Sequence, residues 1–137
     1  MSAFMAFFYD RFMSGLEKAC LHDWRTELLA EVKGEVLEIG AGTGANLAYY
    51  PIGNIRLLLS EPDAAMRNQL EKKAATSQRN DLCISNAKAE QLSFVDNRFD
   101  YVIASLVCCS VTNIDRSLAE IYRVLKPGGR YLFIEHV

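Results

Sequence analysis

The segment from Val36 to Gly44 constrains the fold of this chain more than any other. An apolar run, Val36-Leu37-Glu38-Ile39, passes directly into Gly40-Ala41-Gly42-Thr43-Gly44. A short apolar run that ends in closely spaced glycines reads as a buried strand delivering the chain into a sharp turn. Glycines at such a turn let the backbone reverse tightly and let a ligand approach with no Cβ in the way. A short helix over about Ala45–Tyr50 is expected to follow. The dinucleotide-binding turn reads G-x-G-x-x-G; here the third glycine arrives one residue early, with Ala45 and Asn46 behind it. An acid, Glu38, also stands inside the strand. A carboxylate there would repel a pyrophosphate and suits a ligand that carries an ammonium group.

Downstream, strands and helices alternate. Ile55–Leu59 is a second apolar strand, followed by Glu61-Pro62. A helix from Pro62 to about Thr76 is expected, since proline at a first helical position loses no hydrogen bond. Met66 and Leu70 mark its inner face. Leu82–Ser85 is a weak third strand, and Asp96-Asn97 is a turn signal before the strong strand Phe99–Ser105. A helix over about Asp115–Leu125 carries an apolar stripe of Leu118, Ile121, Tyr122 and Leu125. Lys126-Pro127-Gly128-Gly129 is expected to end it, and Tyr131–Glu135 forms a fifth strand. Ahead of the first strand two helices are expected, Ala3–Met13 and about Leu16–Val32, with Gly34 as punctuation. Strands alternating with helices at this spacing predict a doubly wound parallel sheet covered on both faces. Ligands in such sheets bind at the carboxyl ends of the strands, where the strand order reverses.

Glu61 falls at that end, just after the second strand. A carboxylate there can accept hydrogen bonds from both hydroxyls of a ribose, each worth about 1.5–3 kcal/mol. The alternative is a solvated acid beside a helix N-terminus, which is itself stabilising.

Composition narrows the class of partner. At 137 residues the chain is one expected domain, with helices in 1–33 and an α/β core in 34–137. Half of the residues are apolar and the formal net charge is −2, with no basic stripe of the kind a nucleic-acid binder shows. A small-molecule substrate, and no nucleic acid, is the expectation. Cys20, Cys83, Cys108 and Cys109 make no C-x-x-C pair. They read as buried small hydrophobes of a reducing cytoplasm, with metal or disulfide roles as alternatives. The longest apolar stretches fall short of the ~20 residues a bilayer requires, and no signal peptide is evident.

Four segments now resemble one family in order: Val36–Asn46, then Ser60-Glu61-Pro62-Asp63, then Ala89–Asp100, then Val124–Gly129. They are similar to the motifs of class I methyltransferases that use S-adenosylmethionine, in the methyltransferase type 11 group of the quinone C-methyltransferases. Leu106-Val107-Cys108-Cys109-Ser110-Val111 and the ending Phe133–Val137 resemble the methyltransferase-like 7 thiol methyltransferases, as do Tyr9-Asp10 and Trp24. The resemblance implies a Rossmann-like sheet of order 3-2-1-4-5 under N-terminal lid helices. It implies that Glu38 and the backbone of Gly40, Ala41, Gly42 and Thr43 hold the methionine part of the cofactor. Glu61 takes the ribose, Lys88 and Ala89 lie against the adenine, Ser105 lies beside the methionine part, and Tyr9 closes over the cofactor. Gly44, Asn46, Pro62, Glu90 and Leu106 complete the candidate contacts. Lys88 stands where relatives carry Asp or Asn, and backbone groups there are expected to read the adenine edge.

Methyl transfer from a sulfonium is an in-line displacement that needs the acceptor about 3 Å from the methyl carbon and water excluded. A general base helps where the acceptor is a thiol, hydroxyl or carbon acid. His136 is the candidate, with His22 and Asp10 behind it, and no metal site is expected. Phe4, Phe7, Phe8 and Phe12 with Met5 and Met13 read as a lid, as a membrane-surface helix, or as core. Relatives continue past the fifth strand with a helix and two strands, whereas this sequence stops at Val137. The fifth strand is therefore expected to present an exposed edge, through self-association as a homodimer or as a cut from a longer protein. Three functions compete: a methyltransferase acting on a small, apolar thiol, quinone, phenol or lipid; a catalytically incomplete cofactor-binding module; and a nicotinamide-dependent oxidoreductase, which the glycine spacing and Glu38 disfavour.

Overall fold

The computed structural model describes residues 22–105 and 113–134. Helix α1 (His22–Leu29) leads into β1 (Gly34–Ile39); a 3₁₀ turn (Leu47–Tyr49), β2 (Ile55–Ser60), α2 (Ala64–Thr76), β3 (Leu82–Ser85), β4 (Phe99–Ser105), α3 (Ile114–Val124) and β5 (Leu125–Ile134) follow. The five strands form one sheet in the order β3-β2-β1-β4-β5. All four neighbouring pairs run parallel. The order reverses at β1, which pairs with β2 on one side and β4 on the other, and in such sheets ligands bind beyond the carboxyl ends of the strands at that point, here past Ile39.

Period-two alternation sends the strand side chains to opposite faces. On one face Val36, Leu57, Leu59 and Ile103 are buried with Leu29 of α1 and Leu70 of α2. On the other, Leu37, Ile39, Phe99 and Val102 are buried with Ile121 and Val124 of α3. Phe99 is fully buried and meets Phe94 edge-on, with ring centroids 5.6 Å apart. Truncating Leu37 or Phe99 to alanine in so closed a core would cost about 2–5 kcal/mol.

Several sequence expectations change. Pro62 does not open α2. Asp63 caps the helix instead, its carboxylate accepting from the Met66 amide at 3.0 Å; a side-chain acceptor for an orphan N–H outweighs the fixed φ of proline. The helix expected over Ala45–Tyr50 shrinks to the 3₁₀ turn. The α3 stripe is rotated. Ser117, Ile121 and Val124 face inward, while Leu118 and Tyr122 are 47% and 84% exposed. Lys126-Pro127-Gly128-Gly129 does not separate helix from strand. Helix α3 passes into β5 at Leu125, and the four residues bulge out of the β4–β5 ladder between the pairs Phe99–Leu125 and Tyr101–Arg130. Cys83 is exposed rather than buried, because β3 is an edge strand with one neighbour. Cys20, Cys108, Cys109 and the expected helix Ala3–Met13 lie outside the described residues. No described helix is long and apolar enough to cross a membrane.

Candidate functional site

Glu38, Ser60, Ser85 and Ser105 lie at or one residue from the carboxyl ends of β1, β2, β3 and β4, brought to one rim by the parallel register. From this rim the glycine turn rises. Gly40, Gly42 and Gly44 all have positive φ, 65°, 61° and 94°, angles that side chains with a Cβ rarely adopt. The turn is held by the Ala41 amide donating to Ser60 O at 2.9 Å and the Gly44 amide to Ala41 O at 3.1 Å. Gly44 has a second constraint: a Cβ there would meet Leu70 Cδ1 at 3.0 Å and Lys73 Cδ at 3.1 Å. The turn thus packs closely against α2 at this position. Ala41 and Thr43 are buried in the same turn.

Glu61 bridges this turn to the β2–α2 corner. Its Oε1 accepts from the Gly42 amide at 2.8 Å and its Oε2 from the Asp63 amide at 2.9 Å. Burial raises its pKa, an effect partly offset by the Gly42 N–H. A carboxylate has about four acceptor positions, and among the described residues the Gly42 and Asp63 amides occupy two of them. Pro62, exposed beside it, offers its carbonyl to Arg67 at 3.2 Å.

Glu38 is 2% exposed. Its Oε1 accepts from the Tyr50 hydroxyl at 2.6 Å and its Oε2 from Asn46 Nδ2 at 3.2 Å. Burial pushes its pKa up to about 7, against the hydrogen bonds from Tyr50 and Asn46 and the charge of Arg25; nearby Glu61 adds to the rise. Asn46 therefore acts on Glu38, as a donor within the protein. Lys88 is exposed on the loop after β3, where it forms an isolated bridge with Gln91; Ala89 is buried, and Glu90 is half-buried. That loop is pinned by Arg123, which donates to Leu92 O and Phe94 O at 2.8 Å and pairs with Asp96 and Glu120 at 2.7 Å. Arg123 holds the pKa of Glu120 below the ordinary carboxylate value.

The fold thus brings together Glu38, the glycine turn, Asn46, Glu61 and the loop of Lys88, Ala89 and Glu90. Ser105 ends β4 opposite Ile134. Tyr9, Leu106 and His136 lie outside the described residues. Two cavities lined by described residues, of about 470 and 590 Å³, sit at the amino ends of the strands around Lys33, Asn54, Tyr101 and Arg130 and include none of the candidates. Among the described residues no three His, Cys, Asp or Glu side chains are placed to share a metal ion. Sequence reasoning missed Arg25, a buried guanidinium near Glu38, and Tyr50. Neither carries a motif; a tyrosine preceding Pro51 at the foot of the turn was the available cue.

The model of the methyltransferase domain family matches residues 37–133, well over half of the chain. The chain belongs to the class I S-adenosylmethionine-dependent methyltransferases. It is 37% identical over 107 residues to the human thiol S-methyltransferase TMT1A, covering 77% of this chain and 43% of that one. It is 32% identical over 138 aligned positions to the ubiquinone/menaquinone biosynthesis C-methyltransferase UbiE of Rickettsia typhi, covering 93% and 55%. The chain spans about half the length of these curated relatives. The YcgJ protein of Bacillus subtilis shares the fold, with a TM-score of 0.76 at 24% identity over 84% of this chain and 51% of that one. S-adenosylmethionine is the cofactor of the family, and the donor set fits it. Glu61 stands at the rim with its carboxylate closing the glycine turn, Gly40 is partly exposed beside it, and Glu38 places a second carboxylate next to the turn.

Proposed function

We propose that this chain transfers a methyl group from S-adenosylmethionine to a small apolar acceptor: a thiol, a quinone or phenol, or a lipid. The observation that carries the reading is the placement of two acids around one glycine turn, with Glu61 hydrogen-bonded to the Gly42 amide and Glu38 one strand away. The cofactor supplies a methyl group on a sulfonium whose departure leaves a neutral thioether. The residues of the chain then have three tasks. Glu38 would hold the ammonium group, Glu61 would take the ribose hydroxyls, and the loop carrying Lys88 and Ala89 would flank the adenine. Held at both ends, the reacting centre would sit over the carboxyl ends of β1 and β4, which supports orientation as the main source of rate. The acceptor class rests on the relatives, one named for thiols and one for quinone C-methylation. His136 remains the proposed base. The exposed free thiol of Cys83 suits a reducing, cytoplasmic setting.

A second reading is a module that binds the cofactor without turnover. Incubation with methyl-labelled S-adenosylmethionine and a panel of alkyl thiols, quinols and lipids separates the two. Label in an extractable product supports transfer, and its loss in His136→Ala assigns the base. Cofactor binding with no labelled product from any acceptor supports the module.

A further inference from the structure

We infer that Tyr50 is a positioning residue for the cofactor's ammonium group, acting through Glu38. This rests on the cofactor reading above and extends it to a side chain outside the glycine turn and its acids. Tyr50 is 3% exposed, and its hydroxyl donates to Glu38 Oε1 at 2.6 Å. That contact leaves the carboxylate one rotational setting, and Asn46 on Oε2 fixes the same setting from the turn side. The position of Tyr50 is itself imposed from a third element. Arg79, between α2 and β3, donates to Tyr50 O at 3.1 Å and to Pro51 O at 2.6 Å. Its guanidinium is in turn held by both oxygens of Asp81 at 3.0 Å. A partly buried bidentate pair of this kind fixes the fork geometry of arginine. The chain Asp81–Arg79–Tyr50–Glu38 therefore ends on the carboxylate proposed to hold the ammonium group.

Charge matters as well as aim. Glu38 faces Arg25 from α1, Glu61 from the end of β2, and Tyr50 and Asn46 from the turn. Burial favours its neutral form, and the Tyr50 hydroxyl opposes that by donating to the carboxylate. Tyr50 keeps its own proton, because burial and the neighbouring Glu38 raise its pKa well above 10. It is thus a permanent donor. Removing the hydroxyl leaves Glu38 harder to ionise, and an ammonium ligand binds the ionised form.

The test is calorimetric titration of the 137-residue chain and of Tyr50→Phe with S-adenosylhomocysteine between pH 6 and 8.5. Methylthioadenosine, which shares the nucleoside but lacks the amino acid, is titrated in parallel. In Tyr50→Phe, S-adenosylhomocysteine is expected to bind about 3–10-fold more weakly at pH 7, and the acid limb of its profile to move to higher pH. Methylthioadenosine binding is expected to stay unchanged. Arg79→Lys, which keeps the charge but loses the fork on the two carbonyls, shifts S-adenosylhomocysteine binding the same way by less, and serves if Tyr50→Phe does not fold. An unchanged affinity and pH profile in the variant overturns the inference, as does an equal loss for both ligands. Wild-type chain that binds neither ligand overturns the cofactor reading and the inference with it.

Discussion

The amide of Gly42 donates to Glu61 Oε1 at 2.8 Å, tying the glycine turn after β1 to the acid that follows β2. The two residues are 19 positions apart in sequence, and the parallel pairing of Ile39 with Ser60 brings them to the same rim. One carboxylate thus closes the turn at the rim where the cofactor is proposed to bind.

Glu61→Ala should therefore weaken two properties at once. Loss of the acceptor for the Gly42 and Asp63 amides should lower unfolding stability by about 1–3 kcal/mol. Loss of the ribose contacts should weaken S-adenosylhomocysteine binding by roughly one to two decades, at about 1.4 kcal/mol per decade. Denaturant unfolding and calorimetric titration check the two parts. An unchanged dissociation constant removes Glu61 from the site.

Glu38 makes the ligand-free protein less stable as pH rises. Its folded pKa lies near 7, above the ordinary 4.5, so the folded state retains a proton that the unfolded chain has released between those values. Stability from this group is fully present below about 4.5 and lost as pH rises through 7. The loss amounts to about 3 kcal/mol at about 1.36 kcal/mol per unit. Glu38→Gln is neutral at every pH and keeps the Tyr50 hydrogen bond if Asn46 turns its amide oxygen to the new NH₂. It should therefore gain stability over wild type by up to ~3 kcal/mol at pH 8 and little at pH 4.5, while losing affinity for S-adenosylhomocysteine. Urea midpoints at the two pH values decide; an equal difference at both contradicts a raised pKa.

Arg123 fastens the loop after β3 to α3 through two carbonyls and two carboxylates. Arg123→Met should cost about 1–3 kcal/mol and should speed amide exchange at Leu92, whose N–H is held by Glu120. Hydrogen exchange resolved by residue gives the readout. Protection at Leu92 equal to wild type would mean the loop holds itself.

Among the described residues no strand pairs with the outer edge of β5. Phe133, 55% exposed, stacks on Tyr131 at 5.3 Å. Such an edge invites pairing. Concentration-dependent dimers are expected in light scattering, and Phe133→Lys should shift them to monomer. A monomer at all concentrations in the wild-type chain counts against pairing through this edge.

The legible parts of the fold were those set by local chemistry. Strands Leu82–Ser85 and Phe99–Ser105 lie where the apolar runs and the Asp96-Asn97 turn put them, and Asn97 adopts the positive φ of a turn residue. The rotated face of α3 was not legible, because the inward position 117 is a serine whose hydroxyl is satisfied within the helix by Asn113 O at 2.9 Å. A buried polar residue hides one apolar stripe behind its neighbour. At the site, Glu38, the glycines and Glu61 announce themselves by type and spacing. Tyr50 and Arg79 do not. Their contacts with Glu38 and with the Tyr50 carbonyl arise from how elements pack, across 12 and 29 positions that no local pattern links.

The turn at Gly40–Gly44, with Glu38 and Glu61, is the proposed site for S-adenosylmethionine. Parallel calorimetric titrations of the chain with S-adenosylhomocysteine and with NAD test it most directly. Saturable binding of S-adenosylhomocysteine at one site per chain, abolished or weakened by Glu61→Ala, with no heat from NAD, is the predicted result. Saturable NAD binding with none of S-adenosylhomocysteine would contradict it.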